Sequence, residues 1–242
     1  MPKDLDKEQE QLLETVYYKD KNFTGRDRLY SIVKKYDNHS SKAAVTKWLA
    51  EQQVDQVHQI PKKSSSISPV LVKKPNQLYQ MDLIDIASDA AYNKRYILTL
   101  IDAFTKQAFA VAIKQKSEKS VTNAFLKALE QLKKVNKWIT ILVTDNGSEF
   151  INKEFEDLLS DLDIKHLTGI VGRPQGQGII ERFNKTLKGY IQRDITVTGK
   201  NEWPLHLQQY INNYNNIEHT TIKMTPNEAE SNPELIYQFN LI

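Results

Sequence analysis

The sequence predicts an α/β fold in which a mixed five-stranded sheet with flanking helices follows a small all-α module. Apolar residues recur at helical spacing in the first sixty residues, whereas from Leu78 onward runs rich in Ile, Leu, Val and Tyr predict strands. The elements predicted after Leu78 come in the order βββαβαβα. This order describes a mixed sheet with helices packed on its faces.

Residues 1–60 are predicted to form three short helices in a helix-turn-helix-like module. Thr24, with Asp27 three residues later, is a capping signal for the second helix, and Ser40 and Ser41 are N-cap candidates for the third. The apolar faces of the three helices are Leu12, Leu13, Val16 and Tyr17, then Leu29, Ile32, Val33 and Tyr36, and last Val45, Trp48 and Leu49.

Residues 61–76 are predicted to be a linker, since Pro61, Pro69 and Pro75 oppose regular structure and two lysine pairs flank a serine run. Residues 77–230 form the predicted sheet domain, and residues 231–242 a C-terminal tail. The runs LYQMDLIDI (78–86), RYILTLIDAF (95–104) and QAFAVAIK (107–114) predict three strands of an antiparallel meander.

The remaining elements of the sheet domain follow in order. Residues 117–134 have helical periodicity, and the almost wholly apolar run WITILVTDNG (138–147) predicts a central, buried strand. A helix over 152–162, a short strand over 164–168, a glycine-rich loop and a long helix from about Gly178 come next. A last helix carries Trp203, Leu207, Tyr210, Ile211 and Tyr214 at core spacing.

The composition limits the chemistry that the chain can perform. The absence of cysteine excludes disulfides, thiolate metal sites and thiol nucleophiles, so catalysis must use oxygen or nitrogen groups. No apolar run approaches the roughly 20 residues needed to cross a bilayer, and the charged first residues argue against a secretion signal. The net charge of +3 says little about a polyanionic partner.

Three carboxylates are candidate catalytic residues. Asp82 lies inside an apolar strand, and Asp145 closes a predicted buried strand at its carboxyl end, where sites in α/β sheets form. Glu181 opens the long helix, and Lys185 and Lys188 follow on its face at plus four and plus seven. Simpler interpretations stay open, because a strand-end Asp before Asn-Gly often caps a turn, and Glu with Lys at plus four is often a surface ion pair.

Several ordered motifs resemble the catalytic core of retroviral-type integrases and related transposases. VTDNGSEF (143–150) and RPQGQGIIERFNKTLK (173–188) carry the strongest likeness, with 35 residues between Asp145 and Glu181 as in the family's Asp, Asp, 35, Glu motif. QMDLID around Asp82, LIDAFTK around Asp102 and YNNIEHTTIKMTPNEA (214–229) extend it over about 78–230. The segment WLAEQQVDQVHQ (48–59) more weakly resembles integrases of Maverick or Polinton-type elements.

The resemblance implies a ribonuclease H-like fold in which Asp82, Asp145 and Glu181 bind two Mg²⁺ or Mn²⁺ ions. It also implies 3′-end processing of a mobile-element or viral DNA followed by strand transfer into target DNA, without a covalent protein intermediate. Gln177, Lys185 and Lys188 correspond to family positions that contact DNA. Oxygen-only ligands suit these hard cations, and the nearby Gly176 and Gly178 predict a mobile loop.

Other polar residues are predicted to be structural. Asp85 lies at an odd offset from Asp82 and should point to the other face of its strand, Asp102 is expected to bond locally, and Glu149 follows DNG too closely to be assigned as a ligand. No zinc is expected, because His39 and His58 are the only His or Cys residues of the N-terminal module and structural zinc takes four such ligands.

Two further functions stay open: a truncated or domesticated DNA-binding protein that has lost strand transfer, and a ribonuclease H-like metal-dependent nuclease that stops after cleavage. The expected partners are DNA, as element ends and as target, and further copies of the chain, since two ends are joined in concert. A membrane partner is not expected. The expected location is the nucleus in a eukaryotic host and otherwise the cytoplasm.

Overall fold

The computed structural model describes residues 5–52, 54, 72–168 and 177–240, with side chains up to 236. At the N-terminus, α1 (Lys7–Glu14) runs into a π-helical turn (Thr15–Lys19), and α2 (Arg26–Val33) and α3 (Lys42–Glu51) follow. Three helical segments were predicted here. Ser41 accepts a hydrogen bond from the Ala44 N–H and so caps α3 as expected.

Two local predictions in this module are wrong. Gly25, not Thr24, is the N-cap of α2, and it provides no side-chain cap, while Thr24 is buried. Asp27 instead forms ion pairs with Arg26 and Lys42. Tyr36 is 74% exposed because it lies in the turn beyond Val33, where helical periodicity no longer sets its direction.

The sheet contains five strands, β1 (Leu78–Asp85), β2 (Tyr96–Asp102), β3 (Ala108–Ile113), β4 (Ile141–Thr144) and β5 (Lys165–Thr168). Their order is β3-β2-β1-β4-β5. The first three strands form the expected antiparallel meander, and β4 and β5 run parallel to β1, so the sheet is mixed. Among these strands the central position belongs to β1 and not to β4, which is short and alternates between buried and half-buried residues.

Helices cover both faces of the sheet. The helices are α4 (Glu118–Lys134), α5 (Lys153–Asp161), α6 (Gly178–Thr198), α7 (Trp203–Asn215), α8 (Pro226–Ser231) and α9 (Pro233–Asn240). The last of these lies in the predicted tail, where Ile236 is buried. No helix in the described parts of the chain combines the length and the apolar character that a membrane span requires.

The two faces of the sheet have separate hydrophobic cores. One core joins the sheet to α4 and α5 through residues such as Phe125 and Phe155. The other joins the opposite face to α6 and α7 and also takes in Leu13, Tyr17 and Leu29 of the N-terminal helices. The N-terminal module therefore shares a core with the sheet domain. Residues 61–71 of the predicted linker lie outside the described residues.

Candidate active site

Strand pairing brings Asp82 and Asp145 to one edge of the sheet. Parallel strands β1 and β4 are in register through Gln80 opposite Val143, and each aspartate lies two residues beyond that pair. Both aspartates thus lie just beyond the point where β1 and β4 stop pairing, Asp82 within β1 and Asp145 after the end of β4, which makes them neighbours. Asp82 is half-buried, whereas Asp145 is exposed beyond the end of β4.

Asp82 is held by a short chain of hydrogen bonds. The Leu83 N–H donates to Oδ1 of Asp82 at 2.7 Å, and Nδ2 of Asn184 donates to Oδ2 at 2.7 Å. Oδ1 of Asn184 in turn accepts from the Thr99 hydroxyl at 2.9 Å, which fixes which way the amide faces. Asn184 and Thr99 are both buried, so the orientation of the Asp82 carboxylate is set from inside the fold.

The electrostatic surroundings of Asp82 disfavour its ionised form. Burial raises the pKa of Asp82, and the negative charges of Asp145 and Glu149 raise it further, while the hydrogen bonds from Leu83 and Asn184 oppose the shift. Converging carboxylates that repel one another are stabilised by a bound cation. The aspartate pair therefore has the donor chemistry of a hard divalent metal site.

Helix α6 is docked onto β1 beside this pair. Gln80, fully buried, accepts a hydrogen bond from the Ile180 N–H at 3.0 Å, and the predicted stripe of Ile180, Phe183, Leu187 and Ile191 is buried as expected. Glu181, Lys185 and Lys188 are exposed on the next face. They line a groove of about 500 Å³ together with Asp82, Asp85 and Asn184.

The groove brings Glu181 close to Asp82 without assembling a complete ligand set. Among the described residues, which include all three predicted carboxylates, no three His, Cys, Asp or Glu side chains stand close enough together to hold a metal ion. Asp145 is not part of the groove lining, and its Oδ1 accepts from the Gly147 N–H at 3.0 Å. The structure thus pairs the aspartates and places Glu181 opposite Asp82.

The other predicted residues lie around this centre. Gln177 is the N-cap residue of α6, where its side chain forms no capping hydrogen bond, and Gly176 lies outside the described residues. Asp85 is exposed and pairs with Arg95 at 2.7 Å. Asp102 is buried and accepts from the N–H groups of Asn76 and Phe104 and from the Thr105 hydroxyl, the local role expected of it.

One residue near the centre, Asn184, escaped the sequence analysis, and another, Glu149, was considered there but not assigned as a ligand. Asn184 follows Glu181 by three positions and interrupts the buried stripe of α6, and a buried polar residue in such a stripe is a usable signal. Glu149 is 4% exposed, and its carboxylate pairs with the Lys116 ammonium at 2.8 Å. A Cβ at position 147 would lie only 2.7 Å from the carboxyl carbon of Glu149. Gly147 is therefore needed for this close approach, which no local pattern reveals.

Comparisons with known proteins agree with this geometry. Residues 72–174 match a family model described as integrase core domain. The Gag-Pro-Pol polyprotein of squirrel monkey retrovirus is 36% identical over 119 residues, which are 49% of this chain and 6% of that protein. The retrovirus-related Pol polyprotein from transposon 412 of Drosophila melanogaster is 30% identical over 148 residues, 61% of this chain and 12% of that protein. The chain thus spans a small part of these relatives.

Solved structures show the same fold. A simian T-cell lymphotropic virus intasome, in complex with PP2A regulatory subunit B56 gamma, contains a chain that is 17% identical with a TM-score of 0.61, covering 92% of this chain and 74% of that one. The HTLV-2 integrase catalytic core domain in complex with magnesium is 20% identical with a TM-score of 0.52, covering 64% of this chain and 96% of that one. The mixed five-stranded sheet is therefore ribonuclease H-like, as predicted.

Proposed function

We propose that this chain, which contains a catalytic core of the retroviral integrase type, processes the 3′ ends of a mobile-element or viral DNA and joins them to target DNA. The observation that supports this most is that Asp82 and Asp145 lie side by side just beyond the last pair of the parallel strands β1 and β4, beside a groove lined by Glu181 and two lysines. Such a groove offers a phosphodiester both a carboxylate centre and positive charge.

Asp82, Asp145 and Glu181 are the residues that would hold Mg²⁺ or Mn²⁺. When bound, the ions supply Lewis-acid activation of the attacking and leaving oxygens of an in-line displacement. The Thr99 to Asn184 hydrogen-bond chain keeps one Asp82 oxygen oriented, while Gln80 holds the first turn of α6 and with it Glu181 against the sheet.

Gln177, Lys185 and Lys188 are proposed to grip the DNA end. The ammonium groups of Lys185 and Lys188 are exposed on the groove side of α6, where they can neutralise backbone phosphates. The amide of Gln177 lies at the N-terminus of the same helix. Contacts of this kind position DNA without reading its sequence.

We further propose that copies of the chain associate to bring two DNA ends together. They would act in the nucleus of a eukaryotic host, or otherwise in the cytoplasm.

The test is product analysis with a duplex that carries the terminal sequence of the DNA element encoding the chain. With Mg²⁺ or Mn²⁺ we expect shortened and joined strands, and Asp145→Asn should abolish both products because the aspartate pair is lost. Asp85→Asn is the matched control, since Asp85 lies on the same rim but pairs with Arg95.

Other outcomes separate the alternatives. Cleavage without joined product would assign the chain as a nuclease, and DNA binding without any metal-dependent reaction would assign it as a DNA-binding protein that no longer joins strands.

A further inference from the structure

The turn that carries Asp145 lies against an ion pair with one buried partner. The carboxylate of Glu149 is 2.8 Å from the ammonium of Lys116, and Glu149 is 4% exposed whereas the Lys116 side chain is 49% exposed. Lys116 lies in the loop between β3 and α4, and Glu149 lies in the turn between β4 and α5. The ion pair therefore ties the Asp145 turn to a loop from another part of the sheet domain.

A glycine connects this ion pair to Asp145. The Gly147 N–H donates to Oδ1 of Asp145 at 3.0 Å, so the backbone at position 147 helps to set the direction of that carboxylate. The carboxyl group of Glu149 packs against the same glycine, since a Cβ at position 147 would lie only 2.8 Å from each of its two oxygens. Ordinary contacts between carbon atoms are about 3.5–4.0 Å, so this carboxyl group fills the space that a larger residue would need. A continuous path of contacts thus runs from the ion pair through Gly147 to Asp145.

The backbone of the turn is held separately from the ion pair. The Phe150 N–H donates to the Gly147 carbonyl at 2.9 Å, and the side-chain amide of Asn152 donates to the Glu149 carbonyl at 3.0 Å. Phe150 is fully buried in the core that joins the sheet to α4 and α5. Since the backbone of Glu149 is fixed in this way, the position of its carboxylate depends on side-chain rotation. The ammonium of Lys116 sets that rotation.

The charges around the turn explain why the carboxylate needs a counter-charge. A nearly fully buried carboxylate is costly unless a cation compensates it. The hydrogen bond to Glu149 raises the pKa of Lys116, and the charge of Asp145 adds to the increase, so the ammonium is charged at neutral pH. Burial raises the pKa of Asp82, and the charges of Asp145 and Glu149 add to that shift, so Glu149 also acts on the aspartate pair. Lys116 thus allows a buried carboxylate to support the turn without leaving its charge unbalanced.

Both aspartates of the pair are therefore supported by a buried polar side chain. Asn184 donates directly to Asp82, whereas Glu149 packs against the glycine that donates to Asp145. We infer that Glu149, held in place by Lys116, is a positioning residue that fixes the Asp145 carboxylate toward the metal centre it would form with Asp82. This role rests on the proposed function, because the metal centre belongs to that function.

The first experiment measures hydrogen exchange of the Gly147 amide by NMR in the full chain, which reports on its bond to Asp145 without any metal. Lys116→Met leaves the carboxylate of Glu149 without a counter-charge, so the carboxylate should turn toward water and the Gly147 amide should exchange faster. Glu149→Ala removes the support and should have the same effect, whereas Lys116→Arg keeps the ion pair and should leave the exchange rate unchanged. Lys119→Met is the matched control, because Lys119 lines the same groove as Lys116 and forms no ion pair within the described part of the chain.

Faster exchange that is confined to the turn would support the positioning role. If the amides of β2 exchanged faster to the same degree, the variants would lower the stability of the whole fold and the ion pair would be structural only. Unchanged exchange of the Gly147 amide in both Lys116→Met and Glu149→Ala would overturn the role as well.

The second experiment measures the affinity of the full chain for Mn²⁺ from the electron paramagnetic resonance signal of the free ion. A misplaced Asp145 carboxylate should lower this affinity about tenfold in Lys116→Met, because residues that orient metal ligands contribute effects of this size. Charge alone predicts the reverse, since an unbalanced Glu149 would attract the cation more strongly. A tighter affinity in Lys116→Met would therefore contradict the positioning role.

The outcome is separable from that of the strand-joining test. If the unmodified chain binds no Mn²⁺ and joins no strands, but exchange of the Gly147 amide depends on Lys116 and Glu149, the positioning of Asp145 stands and the proposed catalysis fails. If strands are joined and neither measurement responds to Lys116→Met or Glu149→Ala, only the positioning role fails.

Discussion

Two carboxylates near opposite ends of α6 have different surroundings: Asp194 is a buried residue of the helix itself, and Asp82 is half-buried in β1 beside the first turns of the helix. Near its end, Asp194 is 3% exposed and accepts from the ammonium of Lys21, the hydroxyl of Tyr210 and, at 3.1 Å, Nδ1 of His206. Near its start, Asp82 accepts from one N–H and one amide and faces the charges of Asp145 and Glu149. The negative charge of Asp194 is balanced by the ammonium of Lys21, whereas the donors to Asp82, an N–H and an amide, carry no balancing charge.

This difference distinguishes a structural carboxylate from a candidate functional one. A buried charge with a partner fixes geometry, and here it holds the N-terminal module to the sheet domain through Lys21. A carboxylate whose neighbours are also carboxylates destabilises the fold unless a cation binds, so such a carboxylate is a candidate for a role in binding or catalysis. Asp102, buried but bonded to two N–H groups and a hydroxyl, belongs with the structural kind.

The largest expected effect comes from removing the uncompensated charge. Asp82→Asn should lower the rate of strand processing by about a thousandfold, since a metal ligand contributes several kcal/mol of transition-state stabilisation. The same change should leave the free energy of unfolding equal or higher, because the repulsion with Asp145 and Glu149 is relieved. Single-turnover kinetics and denaturant titration measure the two quantities. A loss of both stability and activity would show instead that Asp82 is a structural carboxylate, as Asp194 is.

The next effect comes from the compensated charge. Asp194→Asn should lower the free energy of unfolding by about 3 kcal/mol, because it leaves the ammonium of Lys21 buried without a counter-charge. The double variant Lys21→Met with Asp194→Asn should recover part of that loss, as the unpaired charge is gone. Denaturant titration gives both values, and Asp27→Asn serves as the exposed control. If Asp194→Asn lowered the free energy of unfolding no more than Asp27→Asn does, the ion pair between Lys21 and Asp194 would not stabilise the fold as described.

The smallest effect is a pH dependence that sharpens the comparison. The pKa of Asp82 is raised in the folded chain, so its ionised form costs stability above that pKa, and the cost disappears as pH falls below the unfolded value. The stability advantage of Asp82→Asn over the unmodified chain should therefore shrink between pH 7 and about pH 4. Parallel denaturant titrations across this range measure it. An advantage that grew with acidity would show the opposite pKa shift.

Much of the fold follows from local patterns. Alternating and continuous apolar runs predicted the five strands in order, and helical spacing predicted the stripe from Ile180 to Ile191. The central strand was misplaced, because apolar content was taken as a measure of position: β4 is paired on both sides, with β1 and β5, but the middle strand of the five is β1. The N-cap of α2 was misplaced as well, since the Thr24 side chain is buried instead of facing the helix end.

The order of residues along the chain is enough to predict Asp82, Asp145 and Glu181 as the catalytic candidates, because strand pattern, motif and spacing mark all three. The surroundings of those residues depend on how the elements pack in three dimensions. Asn184 with Thr99, Glu149 with Lys116, and Lys21 with Asp194 meet across distances in sequence that no short pattern spans. The spacing of apolar residues predicts which face of a helix or strand is buried. The balance of charge around a side chain depends instead on which faces meet once the sheet and helices have packed.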